Sequence, residues 1–199
     1  MLGSFMDEKQ ETSLQILEAA SKRFTHYGYN KTAMAEIARD LKMSTGNLYR
    51  FFVSKLDIAQ AIATSYGDRE HEVLMEVVKS EGTATERLSK LAHTVLTETF
   101  NHIAESNKVF EMAQAIISQR PEFANQRLAK ERGLIISILN DGITSGEFRP
   151  LDDVEWTAEV LQCATMKYRY PQIHHCYNLE YLRKELDGVI YHLLHGLAK

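Results

Sequence analysis

Ser44, Thr45, Gly46, Asn47, Tyr49 and Arg50 fall within residues 44–50, with Lys42 before them and Lys55 after. Together they offer hydroxyls, a carboxamide, a phenol and three cations. No carboxylate occurs among residues 41–55. This chemistry suits a polyanion. A Tyr hydroxyl and a Lys ammonium donate well to phosphate oxygens. Asn can read adenine, and Arg can read guanine, each through two hydrogen bonds. Gly46 would let a backbone approach where a side chain would collide. A helix starting at Ser44 would add its free amides, which attract phosphate.

Other reactive sets are weaker. His174-His175-Cys176 has metal-ligand types, but adjacent residues rarely reach one ion and no i, i+4 partner pair accompanies them. A polar loop is the simpler reading. No Gly-rich phosphate loop, nucleophile elbow or paired-His zinc motif occurs. Glu70, Glu72 and Glu76 have the spacing of a solvated helix face. No catalytic residue, metal or cofactor is therefore expected.

The elements that must position the polar cluster are helices. Leu14, Ile16, Leu17, Ala20 and Phe24 step at helical spacing, and Gly28 is a suitable stop. Thr32 is predicted to cap a second helix over Ala33 to Leu41. Ser44 is predicted to cap a third to about Phe51, after the turn at Lys42-Met43. Ile37, Ala38, Leu41, Met43 and Leu48 would face one another. This is the layout of a helix-turn-helix whose second helix enters the major groove, leading with Ser44, Thr45, Gly46 and Asn47. An αα-hairpin inside a bundle is the plain alternative. Ser54 with Asp57 caps a fourth helix to about Ser80. Five more follow, with breaks at Ser80–Thr83, Arg120-Pro121, Ser145-Gly146 and Pro171. The expected fold is all-α, with about nine helices, an N-terminal helix-turn-helix domain over 1–55 and a helical domain over 56–199.

The chain has 199 residues and a formal net charge of -4, which by itself argues against a nucleic-acid partner. The sum hides a division. Residues 1–55 hold eight Lys and Arg against six Asp and Glu, and the remainder holds 15 against 21. Two cysteines are too few for a disulfide scaffold, and no apolar run approaches the roughly 20 residues of a membrane span. The N-terminus lacks signal-peptide character. A cytoplasmic protein is expected, with Met1 and Met6 both candidate starts.

Thr32-Ala33-Met34-Ala35-Glu36-Ile37-Ala38 and Ser44-Thr45-Gly46-Asn47-Leu48-Tyr49-Arg50-Phe51-Phe52-Val53-Ser54-Lys55 closely resemble the TetR family of one-component transcriptional regulators. Phe24 to Tyr29, and Gly146 to Pro150 followed by Asp152-Asp153, also resemble the family. The resemblance implies that Tyr49 and Lys55 hold operator phosphates. It implies that Thr45, Asn47 and Arg50 read bases or adjacent phosphates, and that Thr32 caps beside the DNA backbone. Two departures stand out. Lys42 replaces the usual turn glycine, at a cost of about 1 kcal/mol if left-handed but with a cation gained near DNA. Phe51 replaces His or Tyr and is expected to pack.

By the same resemblance the remainder binds a small-molecule effector and dimerises. Pocket candidates are Phe100, Phe110, Met112, Met166, Tyr168 and Tyr170, with ordinary core as the alternative for each. His93, His102 and Gln162 are candidates to orient a ligand. Dimer candidates are Val154, Ala158, Leu161 and Thr165 on the eighth helix, and Leu182, Leu186, Val189, Ile190, Leu193 and Leu197 on the ninth, although these stripes could equally face their own core. The expected function is a homodimeric repressor on a palindromic double-stranded DNA operator, released by an effector. An activator on the same scaffold is one alternative. An all-α carrier or enzyme with a purely structural hairpin is another.

Overall fold

The computed structural model describes residues 2–105, 108–169 and 177–195. Among them it contains nine α-helices and one short 3-10 helix: α1 (Leu2–Tyr27), α2 (Met34–Asp40), α3 (Thr45–Tyr49), α4 (Lys55–Lys79), α5 (Ala84–Glu105), α6 (Val109–Gln119), α7 (Pro121–Ser145), α8 (Val154–Ala164), the 3-10 turn Met166–Arg169, and α9 (Leu179–His195). The all-α expectation holds. Several bounds shift for local reasons. Pro121 starts α7, since its missing amide is not needed at a first helical position. The eighth helix ends at Ala164 and continues as the 3-10 turn, short of Tyr170. Tyr170, Pro171, His174, His175, Cys176 and Leu197 lie outside the described residues, as does the side chain of His102.

Two compact units emerge: Met1–Asp68 with Ser106–Ala124, and Arg69–Glu105 with Asn125–Lys199. Packing thus divides the chain differently from a linear cut at residue 55. The N-terminal unit takes in the start of α4 and all of α6, because Met112 and Ile116 of α6 are buried among Ile16, Phe24, Ile37, Leu48 and Ile58. Leu14 was grouped with this core by its spacing, yet it lies 60% exposed on the outer face of α1.

Chain reversals are built where the backbone demands them. Gly28, after α1, has φ +97°. Lys42 has φ +53°, the left-handed turn that its place in the motif suggested. Glu36 accepts from the Ala33 amide at 2.9 Å. Ala33, rather than Thr32, is therefore the residue capping α2, and it brings no side-chain hydrogen bond of its own. Ser54 accepts from the Asp57 amide at 3.1 Å and donates to its carboxylate at 2.8 Å.

In the second unit Leu74, Leu88, Leu91, Ile138, Leu139 and Ala158 form one core, and Leu96, Tyr168, Leu182, Leu186 and Ile190 form another. Glu147 accepts from the amides of Ala84 and Thr85 at 2.7 and 2.8 Å, which anchors the start of α5. A Cβ on Gly142 would lie 2.3 Å from the Phe148 ring, so that position admits only glycine without repacking.

Candidate functional site

α2 and α3 cross at the Leu41–Ser44 turn, with Ile37, Ala38 and Leu48 buried between them. Ser44 accepts from the Asn47 amide at 3.1 Å, so α3 starts where its motif predicts. The outward side carries Lys42, Ser44, Gly46, Tyr49 and Arg50, all exposed, with Thr45 and Asn47 half-exposed. Val53 is 81% exposed beside them, and Lys31 and Arg39 add two further exposed cations. Lys31 and Arg39 lie outside the two motif segments, and counting cations over residues 31–39 as well as across the turn finds them, whereas Val53 lies inside the second segment, where an apolar side chain gives no polyanion signal.

Gly46 carries an informative vacancy. A Cβ there would meet nothing nearer than the Ser44 hydroxyl at 4.0 Å, and φ is not in the left-handed region. Glycine in a helix costs about 1 kcal/mol relative to alanine. No packing contact inside the protein requires it.

Two residues assigned to DNA have other local tasks. Thr32 is buried, and its hydroxyl donates to the Gly28 carbonyl at 2.9 Å. Its amide donates to Tyr29, so neither group is left to face a DNA backbone. Lys55 donates to the carbonyls of Tyr29 at 2.7 Å and Thr32 at 2.9 Å, over the Tyr29 ring. Burial pushes its pKa down. An ammonium has three donors; two of these hold the fold.

The second unit contains a cavity lined mainly by Leu88, Leu91, Val95, Ile135, Leu161 and Leu193. Tyr168, Thr165, Glu131 and Arg169 supply its polar lining. It encloses about 50 Å³. Ligand pockets generally hold roughly 300–1,000 Å³, well above this volume. Of the pocket candidates, Tyr168 lines the cavity. Phe100 packs beside the Leu96 core, and Met166 is half-buried outside the lining. Met112 belongs to the N-terminal core, and Phe110 is exposed on the same helix. Aromatic and Met content did not distinguish the two units. His93 pairs with Asp187 at 2.8 Å, while buried Gln162 donates to the Leu128 carbonyl at 2.9 Å beside Glu131.

The dimer candidates divide in the same way. Ala158, Leu182, Leu186 and Ile190 are buried in their own unit. Leu161, Thr165 and Leu193 line the cavity with Ile190, and Val154 and Val189 are half-buried. The outer edges instead carry Trp156 (63% exposed) and Val160 on α8, and Tyr181 (50%) and Tyr191 (57%) on α9. Gly188 lies between these tyrosines, with nothing within 4 Å of an added Cβ. Both edges of α9 are apolar enough for the helical period, and the edge chosen by spacing is the one that packs within its own unit.

Among the described residues no helix is long and apolar enough to cross a membrane, and no group of three His, Cys, Asp or Glu is placed to hold a metal.

Family models match the chain twice. The model for bacterial regulatory proteins of the tetR family covers residues 16–62, and that for the tetracyclin repressor-like C-terminal domain covers 84–190. The HTH-type transcriptional repressor KstR2 of Mycobacterium tuberculosis is 28% identical over 142 residues, 71% of each chain. The fatty acid metabolism regulator protein of Bacillus subtilis is 25% identical over 161 residues, 78% of this chain and 80% of that one. A transcriptional regulator from Cytophaga hutchinsonii superposes with a TM-score of 0.68 at 26% identity, over 92% of this chain and 97% of its own. The transcriptional regulator FadR from Bacillus subtilis, solved with stearoyl-CoA, shares the fold with a TM-score of 0.65 at 22% identity, over 92% and 98%.

Proposed function

Because this chain belongs to the TetR family of bacterial regulatory proteins, we propose that it represses transcription as a homodimer and leaves its operator when an effector binds. It is a regulator and not an enzyme. The observation that carries the reading is the outward side of the helix-turn-helix. Lys42, Tyr49 and Arg50 surround an open Gly46 at the capped start of α3, with Thr45 and Asn47 at the groove-entering end. One such helix reads few base pairs, and two-fold pairing supplies the second half-site about 34 Å away.

The pairing surface draws on the exposed residues of the last two helices: Trp156 and Val160 on α8, and Tyr181 and Tyr191, which flank Gly188 in sequence, on α9. Aromatic anchors are enriched at interfaces, and a helix glycine that its own fold does not use leaves room for a partner helix. The effector has an apolar body, matching the lining of the second unit's cavity. Relatives named for fatty-acid metabolism and ketosteroids agree with that polarity. α4 and α7 each start in one unit and end in the other. A ligand that favours one arrangement of the second unit can therefore bias the first through continuous helix. The protein works in the cytoplasm, where its operator lies.

A gel-shift series with DNA upstream of its own gene tests the reading. A sequence-dependent shift that an apolar amphiphile, a long-chain fatty acid or its CoA thioester, reverses is the expected result. A shift that no apolar ligand reverses removes the effector part, and no shift at all removes the repressor.

A further inference from the structure

The apolar cavity of the second unit has a pair of opposite charges in its lining. Arg169, from the 3-10 turn after α8, meets the carboxylate of Glu131 on α7, and both side chains are largely buried. Burial lowers the Arg169 pKa to about 10, which leaves it cationic at neutral pH. The other groups facing the pair are already engaged. Arg127 is held by Glu70 at 2.6 Å, and Arg132 pairs with Glu159 at 3.5 Å. The Gln162 amide donates to Leu128 and lies 3.5 Å from Glu131. Tyr168 donates to Glu185 at 3.2 Å, and Lys167 pairs with the same carboxylate.

The two halves of this pair are not equally replaceable. A cationic ligand would take Glu131 and leave a buried guanidinium, which cannot shed its charge at neutral pH. An anionic ligand would take Arg169 and leave a buried carboxylate, which can become neutral by binding one proton. Guanidinium also presents a planar fork that matches a carboxylate at two points. The cheaper exchange is therefore the anionic one.

We propose that the effector is an amphiphilic carboxylate: its apolar chain parts the Leu88–Leu91–Val95–Ile135 wall, and its ionised head displaces Glu131 from Arg169. The proposal rests on the reading of this cavity as the effector site. The proton balance is complete. The ligand enters as an anion and stays ionised on Arg169, while Glu131 takes one proton from solvent. Charge at the buried site is thereby conserved. Glu131 lies in the middle of α7 and Arg169 on the turn that follows α8, so the exchange unfastens one element from the other.

Calorimetric titration of the full chain with octanoate, octan-1-ol, octylamine and octanoyl-CoA tests this, in two buffers of different ionisation enthalpy. Octanoate should bind with uptake of about one proton. Its affinity should fall as pH rises above the ligand's own pKa, by up to about tenfold per pH unit while one proton is taken up. Octanol should bind without proton uptake. Glu131→Gln should keep octanoate binding but lose both the proton uptake and the pH dependence. Arg169→Met should bind octanol and weaken octanoate at least tenfold. Octanoate binding without a proton, or pH dependence persisting in Glu131→Gln, overturns the exchange. Binding of octanol, octylamine or octanoyl-CoA but not octanoate overturns the carboxylate while the effector site stands. No binding by any of the four overturns the site itself.

Discussion

Lys55 places its ammonium 2.9 Å from the carbonyl oxygen of Thr32, fastening the first residue of α4 to the turn that leads into α2. The second carbonyl, of Tyr29, and the ring beneath complete the clamp. A residue that the family resemblance assigns to phosphate thus uses two of its three donors to hold the helix-turn-helix in place. Lys55→Met should destabilise the N-terminal unit by about 1–3 kcal/mol, as expected for hydrogen bonds made by a charged group. Arg50→Ala should leave the unfolding midpoint nearly unchanged. Denaturant titration of both variants checks the contrast.

Gly46 makes the opposite prediction. Alanine has free space there, so Gly46→Ala should stabilise the fold by about 0.5–1 kcal/mol. The same methyl should weaken operator binding, because it occupies the gap facing DNA. A thermal melt and a binding isotherm on one preparation measure both. Stabilisation without loss of binding would remove Gly46 from the interface.

Asp57 connects acid stability to the N-terminal unit. The hydrogen bond from Arg120, supported by Ser54, holds its carboxyl below the usual carboxylate range. A carboxyl with a depressed folded pKa contributes its full stability above the unfolded value, near 3.9, and loses it as pH falls through the folded one. Unfolding free energy should therefore drop with acid below about pH 4. Asp57→Asn should cost on the order of 1 kcal/mol at pH 7 and flatten that slope. Chemical denaturation of both proteins at pH 7 and pH 3 gives the comparison.

The two edges of α9 make separable predictions. Leu186 is fully buried in its own unit, so Leu186→Ala should cost about 2–5 kcal/mol. Tyr181→Glu, on the exposed edge, should leave each protomer folded and shift the mass in sedimentation towards monomer. A Tyr181→Glu dimer of unchanged affinity would place the pairing surface elsewhere.

Much of this was legible in the sequence, for physical reasons that differ by region. The helix-turn-helix is dictated locally: Ser44 caps, Lys42 turns left-handed, and Ile37, Ala38 and Leu48 pack over short separations. Each of those signals sits within a few residues of its effect. The cavity depends on which helices meet across long separations. Met112 joined the N-terminal core instead, and the Glu131–Arg169 pair spans α7 and the turn after α8. Helical spacing finds an apolar stripe but cannot say which neighbour covers it, so Leu182 and Leu186 read as an interface when they are core.

By our proposal the Lys42–Arg50 face binds operator DNA. The most direct measurement is fluorescence anisotropy of the duplex upstream of its own gene, from low to high salt, for the wild type and Tyr49→Ala. The wild type should bind this duplex more tightly than a scrambled one, with log K falling linearly against log salt. Tyr49→Ala should bind more weakly with the slope nearly unchanged, because a neutral phenol releases no counterion when it meets a phosphate. Wild-type binding that ignores both sequence and salt, or a Tyr49→Ala isotherm that overlays the wild type, would contradict it.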